Sequence, residues 1–293
     1  MKPSLGERLR QADVYRHSRA PAKLVRHPVR ESLAAAYRLF PGLPTRGAAA
    51  RLFTGQRPRV LLPEIVALDL YRHGCIEPEL TAVLLDALRP GMAFADVGAQ
   101  YGYYSLLAHA TVGRGGRVFA FEPSRRTFRF LRRNLAGLSG VRAEEAAASN
   151  SSGRRLLHDF GGRHSALNSL FTQPRTPVEE RAGLRSENYE VRCVTLDDYF
   201  SEVGGHPDVV KIDTESSELD VLRGMEQLLR HRSPLITLEV GDYQVTGSPP
   251  SRECVDFLES FGYRGFEVGR GGLVPHRRRD HYLYGNLCFR KAP

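Results

Sequence analysis

Short apolar runs alternate with amphipathic segments of helical length over most of the chain after residue 92. The runs that predict strands are Ala93–Val97, Arg117–Phe121, a run near Arg142–Ala148, Val209–Ile212, Leu235–Val240, Gly265–Val268 and Tyr282–Phe289. The segments that predict helices between them are Tyr103–Ala110, Arg125–Leu135, Ser217–Leu229 and Arg252–Phe261. Because strands that alternate with helices form parallel sheets with crossover helices, the pattern predicts an α/β fold.

Two more predicted strands, Arg154–Phe160 and Tyr189–Val194, interrupt this alternation. The polar segment between them, Gly161–Asn188, is long for a connection inside a compact domain. Segments of that kind are usually functional or mobile, and we expect the same here.

Residues 1–75 predict a separate, mainly helical extension. Helix-like patches such as Glu31–Leu39 are divided by prolines, which stop or bend helices. A brief strand at Arg59–Leu62 and a helix at Glu64–Tyr71 follow, as in a lid that precedes a main domain. The helical repeat of Glu77–Leu88 begins the main domain, so we divide the chain into a basic extension or lid, residues 1–75, and an α/β domain, residues 76–293.

The formal charge of +9 is concentrated near the N-terminus. Residues 1–60 carry 13 Lys and Arg against 3 Asp and Glu, whereas the rest of the chain carries 29 against 30. We interpret the basic residues as solvated faces of helices, and a nucleic-acid or membrane-surface partner is the less favoured alternative.

The four cysteines favour neither a disulfide framework nor a zinc site, because they are far apart and have no metal-ligand spacing. No apolar run approaches the roughly 18 to 20 residues of a membrane span, and the arginine-rich start does not resemble a signal peptide. We therefore expect a soluble cytoplasmic protein without a transmembrane segment, and a homo-oligomer is left open.

The strand predicted at Ala93–Val97 runs directly into a glycine turn. Gly98 and Gly102 allow bare backbone to approach a ligand before a helix begins at Tyr103. A dinucleotide fingerprint would require glycine where Ala99 stands, so the spacing favours a cofactor without a pyrophosphate.

Glu122 follows the next predicted strand and offers a second anchor for such a cofactor. An acidic side chain at this position can accept hydrogen bonds from both hydroxyls of a ribose. Together with Asp96, it suits an aminoacyl nucleoside. The alternative is that Glu122 only caps the helix that starts near Ser124.

These motifs together resemble the FkbM family of methyltransferases between about Glu77 and Tyr263. The segments that carry the resemblance are Pro90-Gly91, Phe94–Ala99, Gly102–Ser105, Ala120–Pro123, Asn134 and Lys211–Glu215. The resemblance implies a class I methyltransferase fold, which is Rossmann-like, with a mostly parallel seven-stranded sheet and helices on both faces. It also implies S-adenosylmethionine as the methyl donor and a hydroxyl acceptor on a sugar, a polyketide or another secondary metabolite.

Carried over by position, the resemblance assigns residues to the parts of the cofactor. Asp96, Gly98 and Gly102 would face its methionine part, Glu122 its ribose, and residues 144–147 its adenine. The predicted cofactor-binding residues are therefore Asp96, Gly98, Ala99, Gly102, Glu122, Pro123 and Glu145.

This chain departs from the family pattern at two positions. Gln100 stands where the family usually has Asn, and Ser216 stands where it usually has Gly. We expect the first change to be tolerated and the second to reshape the acceptor side, because a side chain replaces bare backbone.

Asp213 and Glu215 are the predicted catalytic residues. They follow the strand Val209–Ile212 at its carboxyl end, which opens onto the ligand crevice in an α/β sheet, and methyl transfer to an alcohol needs positioning and a base. With Glu239 and Asp242 they would form a carboxylate cluster of a kind that suits Mg²⁺, although no residue is assigned as a metal ligand.

The carboxylates of this cluster could instead have structural roles, with another residue as the catalytic base. Glu215 would then interact with the helix that begins near Ser217, and Glu239 would pair with Lys211. His164 and His281 are rival bases because imidazole titrates near neutrality.

The sequence therefore predicts an O-methyltransferase that acts on a small-molecule or glycan-like acceptor. The alternatives are a nucleic-acid methyltransferase that uses the basic N-terminal arm and a cofactor-binding protein that has lost its chemistry, for which Gln100 and Ser216 would argue.

Overall fold

The structure of the protein is a computed structural model that describes residues 3–171, 185–242 and 247–291. In chain order its helices are α1 (Leu5–His17), α2 (Ala20–Arg26), α3 (Pro28–Leu39), α4 (Ile65–His73), α5 (Pro78–Ala87), α6 (Tyr103–Val112), α7 (Arg125–Leu135), α8 (Leu196–Val203), α9 (Glu218–Arg223), α10 (Glu226–His231) and α11 (Ser251–Ser260). Its strands are β1 (Arg46–Ala49), β2 (Arg59–Leu62), β3 (Ala93–Val97), β4 (Arg117–Phe121), β5 (Val141–Glu144), β6 (Ala147–Ala148), β7 (Gly153–Asp159), β8 (Glu187–Val194), β9 (Val209–Ile212), β10 (Leu235–Val240), β11 (Tyr263–Gly269), β12 (Gly272–Pro275) and β13 (Gly285–Lys291).

The main sheet has the strand order β12-β11-β13-β10-β9-β3-β4-β5. The strands from β10 to β5 are parallel to one another, and β13, β11 and β12 add to the β10 edge in antiparallel pairs. The α/β fold of the class I methyltransferase type is thus confirmed, with eight strands in this sheet where seven were predicted. The additional strand, β12, is a largely exposed edge strand of four residues and has no apolar alternation by which it could be recognised.

A second, three-stranded sheet with the order β6-β8-β7 lies beside the first. The single strand predicted near Arg142–Ala148 is divided, because its first part pairs with β4 and its last two residues pair with β8. The predicted loop Gly161–Asn188 contains a short 3₁₀ helix at Ser165–Leu167, and its central part, residues 172–184, lies outside the described residues.

The helix predicted over Ser217–Leu229 is divided into α9 and α10. Gly224 packs so closely against the backbone of Ser149 that a Cβ atom there would lie 1.9 Å from the Ser149 carbonyl oxygen. Only glycine fits at this position, which directly follows the last residue of α9. Helix α8 was not predicted, although Thr195 caps it by accepting a hydrogen bond from the amide of Asp198.

Both faces of the main sheet are covered, which explains why its parallel strands are continuously apolar. Phe94 packs on one face with Leu107 of α6 and Leu131 of α7, and Leu70 of α4 belongs to the same apolar cluster. The next residue, Ala95, packs on the other face among the side chains of α8 to α11. The N-terminal segment thus shares one core with the sheet. None of the helices in the described ranges has the length and apolar character needed to cross a membrane.

The parallel strands end at a common edge. Val97 at the end of β3 lies in register with Phe121 of β4 and Ile212 of β9, and Ile212 lies in register with Leu238 of β10. Gly98, Glu122 and Asp213, which follow these ends, therefore lie at the same edge of the sheet as Glu239, the next-to-last residue of β10.

Candidate active site

A cavity of about 980 Å³ opens at this edge. Its wall combines the turn after β3, the end of β4, the residues before and within β6, the segment after β9, Glu239, and residues of α1 and α4. A cavity of this size lies at the upper end of the range for ligand sites, so it has room for a cofactor and an acceptor together.

The turn after β3 has a left-handed backbone at Gly98, Gln100 and Gly102, with φ values of 78°, 49° and 84°. A Cβ atom on Gly98 would lie 1.8 Å from the Asp213 carbonyl oxygen, so only glycine fits between β3 and β9. Gln100 keeps the left-handed conformation although it is not glycine, and the departure from the family pattern leaves the turn intact. Gly98 and Ala99 line the cavity, and Gly102 instead packs against Leu131 of α7.

Glu122 lies at the cavity wall with 7% of its surface exposed. Its Oε2 accepts a hydrogen bond from the amide of Gln100 at 3.0 Å, and its Oε1 accepts one from the amide of Ser124 at 2.9 Å. The second contact is at the start of α7, so the structural alternative for Glu122 also holds. Each oxygen retains a lone pair, and burial raises the pKa of Glu122 to about 7.

An apolar part of the wall adjoins Glu122. Pro123, Ala146, Ala147 and Leu157 form it. The side chain of Glu145 is exposed and does not line the cavity, because the chain between β5 and β6 turns Ala146 and Ala147 inward instead.

Asp96 is fully buried and does not line the cavity, whereas its neighbour Lys211 does. The Lys211 Nζ lies 3.0 Å from Asp213 Oδ2 and 3.7 Å from Asp96 Oδ1, and it donates a hydrogen bond to the Gly98 carbonyl oxygen at 3.0 Å. Burial alone would lower the pKa of Lys211, but the two aspartates outweigh it and raise this pKa. The ammonium group thus joins β3, the glycine turn and the residue after β9.

The alternative in which Glu239 pairs with Lys211 is not what the structure shows. Lys211 lies in register with Asp96 on β3 and with Thr237 on β10, so its side chain pairs with Asp96 and Asp213. Sequence reasoning missed Lys211 as a site residue because two of its partners, Asp96 and the Gly98 carbonyl, lie more than a hundred residues earlier in the chain.

Three carboxylates converge at the cavity. Oxygen atoms of Asp213, Glu215 and Glu239 all lie within 4.8 Å of one another. Burial and the neighbouring carboxylates raise the pKa of both Glu215 and Glu239 well above their usual range. Asp242 does not join the cluster, because it accepts hydrogen bonds from the amides of Ser251 and Tyr282.

The segment that holds Glu215 has an unusual backbone. Glu215 and Ser216 both have a left-handed conformation, with φ values of 52° and 82°. Glu218 secures the turn by accepting a hydrogen bond from the amide of Thr214 at 2.8 Å, so Glu215 is left facing the cavity. Ser216 does not line the cavity, and the expected reshaping of the acceptor side by its side chain is not seen.

The two histidine alternatives lie elsewhere. Neither His164 nor His281 is among the described residues that line the cavity. His281 is largely exposed and lies 3.0 Å from Asp242.

The far wall of the cavity was not predicted. Arg16 and Asp69, which form an ion pair at 2.7 Å between α1 and α4, contribute to it. Glu77 also lines it and accepts hydrogen bonds from the hydroxyl groups of Tyr104 at 2.8 Å and Tyr284 at 3.1 Å. These residues are scattered along the chain and have no motif in common.

Comparisons with known proteins point to one family. The Methyltransferase FkbM domain matches residues 96–264. Methyltransferase sdnD of Sordaria araneosa is 29% identical over 218 residues, which are 63% of this chain and 81% of that protein. The 31-O-demethyl-FK506 methyltransferase FkbM of Streptomyces tacrolimicus is 30% identical over 177 residues, which are 53% of this chain and 67% of that protein.

A longer relative and a solved structure complete the comparison. The AMB antimetabolite synthetase AmbE of Pseudomonas aeruginosa is 31% identical over 186 residues, which are 53% of this chain but only 9% of the synthetase. The crystal structure of Methyltransferase FkbM from Methylobacillus flagellatus is 16% identical, with 92% of this chain and 60% of that chain covered and a TM-score of 0.42.

The resemblance predicted from the motifs is thereby confirmed, because the matching domain covers more than half of the chain and begins at Asp96, where β3 leads into the glycine turn. The chain belongs to the FkbM family of S-adenosylmethionine-dependent methyltransferases.

Proposed function

We propose that this enzyme transfers the methyl group of S-adenosylmethionine to a hydroxyl group of a small molecule, such as a secondary metabolite or a sugar. The observation that carries the proposal is that Glu122 and the carboxylates of Asp213 and Glu215 line one cavity. The name of the Streptomyces relative, a methyltransferase for 31-O-demethyl-FK506, supports transfer to oxygen.

The residues at the glycine turn fit the cofactor, which supplies an electrophilic methyl group when it is bound. The free lone pairs of Glu122 would accept both ribose hydroxyls, while the backbone at Gly98 and Ala99 would face the methionine part. Pro123 and Ala146 would cover the adenine ring. Asp96, Gly102 and Glu145 do not line the cavity, and the first two would act by supporting the turn.

Asp213 and Glu215 would have different roles toward the acceptor. The Oδ2 atom of Asp213 is held by Lys211, so this carboxylate would orient the acceptor hydroxyl. Glu215 lines the cavity with no ion-pair partner among the described residues, and its carboxylate would accept the hydroxyl proton as the C–O bond forms and the bond between the methyl group and the sulfur of the cofactor breaks.

The nucleic-acid alternative has less support. Several of the N-terminal basic residues are used inside the protein: Arg16 pairs with Asp69, and Arg8 donates a hydrogen bond to the Thr54 carbonyl oxygen at 3.4 Å. The four cysteines are buried and unpaired, which supports a cytoplasmic location.

The test is a methyl-transfer assay with labelled S-adenosylmethionine and a panel of polyol, macrolide and sugar acceptors, with the product analysed by NMR. We expect an O-methyl product and a kcat about 100-fold lower or more for Glu215→Gln, with unchanged binding of S-adenosylhomocysteine. Glu145→Gln, which changes an exposed glutamate outside the cavity, is the matched control. A methyl group found only on nitrogen or carbon, or full activity of Glu215→Gln, would contradict the proposal.

A further inference from the structure

We propose that Asp213, Glu215 and Glu239 hold a divalent cation of the Mg²⁺ and Mn²⁺ class at the acceptor side of the cavity. The inference deepens the proposed function, from which it takes only the position of the acceptor.

The spacing of the three carboxylates suits such a cation. One oxygen from each lies within 4.8 Å of the others, and opposite ligands of an octahedral Mg²⁺ are about 4 Å apart. The three residues come from the ends of β9 and β10, which are neighbouring strands in fixed register. Modest side-chain rotations would therefore bring the oxygens to a shared ion.

Among the described residues, the cation that bears on this cluster is Lys211. Glu239 is only 9% exposed, and the charges that bear on it most strongly are the carboxylates of Asp213, Glu215, Glu218 and Glu77. The ammonium group of Lys211 is already bound by Asp213, Asp96 and the Gly98 carbonyl. Burying several charged carboxylates beside one lysine is costly, and the cost is removed either by protonation of the carboxyl groups or by a ligand that supplies positive charge.

A neighbouring hydroxyl independently indicates a ligand in this part of the cavity. Ser217, two residues after Glu215, lines the same cavity, is 2% exposed, and its Oγ has no hydrogen-bond partner among the described residues. Buried hydroxyl groups in native proteins are normally hydrogen-bonded, so this group is satisfied when a ligand or its water shell is present.

The ligand set determines the class of cation. All three side chains offer carboxylate oxygens, which are hard ligands that select Mg²⁺ or Mn²⁺ over the softer metals bound by His or Cys. Three protein ligands leave coordination positions open toward the cavity. An acceptor hydroxyl in one of them would lose its proton more readily, and Glu215 and Glu239 would each keep a second oxygen for that proton, whereas the Oδ2 atom of Asp213 is held by Lys211.

The test is a titration of the full chain with Mn²⁺ alone, followed by electron paramagnetic resonance of the free ion and repeated with Mg²⁺ as competitor. We expect one Mn²⁺ per chain, and an affinity more than about tenfold lower in both Glu239→Gln and Glu215→Gln. Glu145→Gln should bind as the unchanged protein does. Thermal unfolding of each variant shows whether it is folded, and two ligand variants keep the test informative if one does not fold.

The result that would overturn the inference is an absence of Mn²⁺ binding at millimolar concentration, or equal binding by the unchanged protein and both ligand variants. Binding of S-adenosylhomocysteine and the position of the transferred methyl group, measured separately, test the proposed function. The enzyme could therefore fail as an O-methyltransferase and still bind Mn²⁺, or the reverse.

Discussion

Replacing Lys211 with methionine should destabilise the fold strongly, because this lysine compensates the buried charge of Asp96. Asp96 is 0% exposed, and its Oδ1 has no hydrogen-bond donor among the described residues, so the ammonium group 3.7 Å away is its main electrostatic support. With an effective dielectric constant of about 20, a pair at this separation is worth about 4 kcal/mol. Removing one member of a buried pair typically costs about 3–5 kcal/mol, which agrees.

The assay is urea unfolding of the unchanged protein and of Lys211→Met at neutral pH, with the slope checked so that the free energies are comparable. The double variant Asp96→Asn with Lys211→Met is the control. Because it removes both charges, its loss should be smaller than the sum of the two single losses by more than about 1 kcal/mol. A loss below about 1 kcal/mol in Lys211→Met, or strictly additive losses, would refute the reasoning.

Three further predictions follow from single residues. Ser216→Gly should raise the free energy of unfolding by up to about 1 kcal/mol, because Ser216 has a φ of 82° that glycine adopts without strain. Urea unfolding measures this, and a lower free energy of unfolding in the variant would contradict it. Glu64→Ala should lower the melting temperature and cost about 1–2 kcal/mol, since the amides of Val66 and Ala67 lose their acceptor, and an unchanged melting temperature would contradict this. Burial raises the pKa of Glu122 to about 7, and hydroxyl donors favour its charged form, so binding of S-adenosylhomocysteine should release protons near neutral pH and should weaken as the pH falls from 7 to 6. Calorimetry in two buffers of different ionisation enthalpy measures the number of protons released. Proton uptake on binding would contradict the prediction.

The parallel core of the fold could be predicted from the sequence because its signals are local. The strands β3, β4 and β9 were predicted with the boundaries that the structure shows, since buried runs between polar turns are distinct. The predictions of secondary structure were wrong where tertiary contacts determine the structure. The helix break at Gly224 depends on its contact with Ser149, and the exposed strand β12 has no apolar signal of its own.

The residues of the candidate site also differ in how far the sequence alone predicts their position. The glycine turn and Glu122 are adjacent to strand ends, so sequence spacing alone places them at the cavity. The role of Lys211 depends on the order of strands in the sheet, and the wall formed by Arg16 depends on how α1 packs. Glu145 shows the limit of positional transfer, because the residue that lines the cavity is the next one along the chain, Ala146.

The central claim is that the cofactor binds at the glycine turn with its ribose on Glu122. Calorimetric titration of S-adenosylhomocysteine into the unchanged protein, Glu122→Ala and the control Glu145→Ala tests it most directly. Two hydrogen bonds to a charged acceptor are worth about 3 kcal/mol or more, so Glu122→Ala should bind more than about 100-fold more weakly, while Glu145→Ala binds normally. Equal affinity of all three proteins, or a loss confined to Glu145→Ala, would contradict the account.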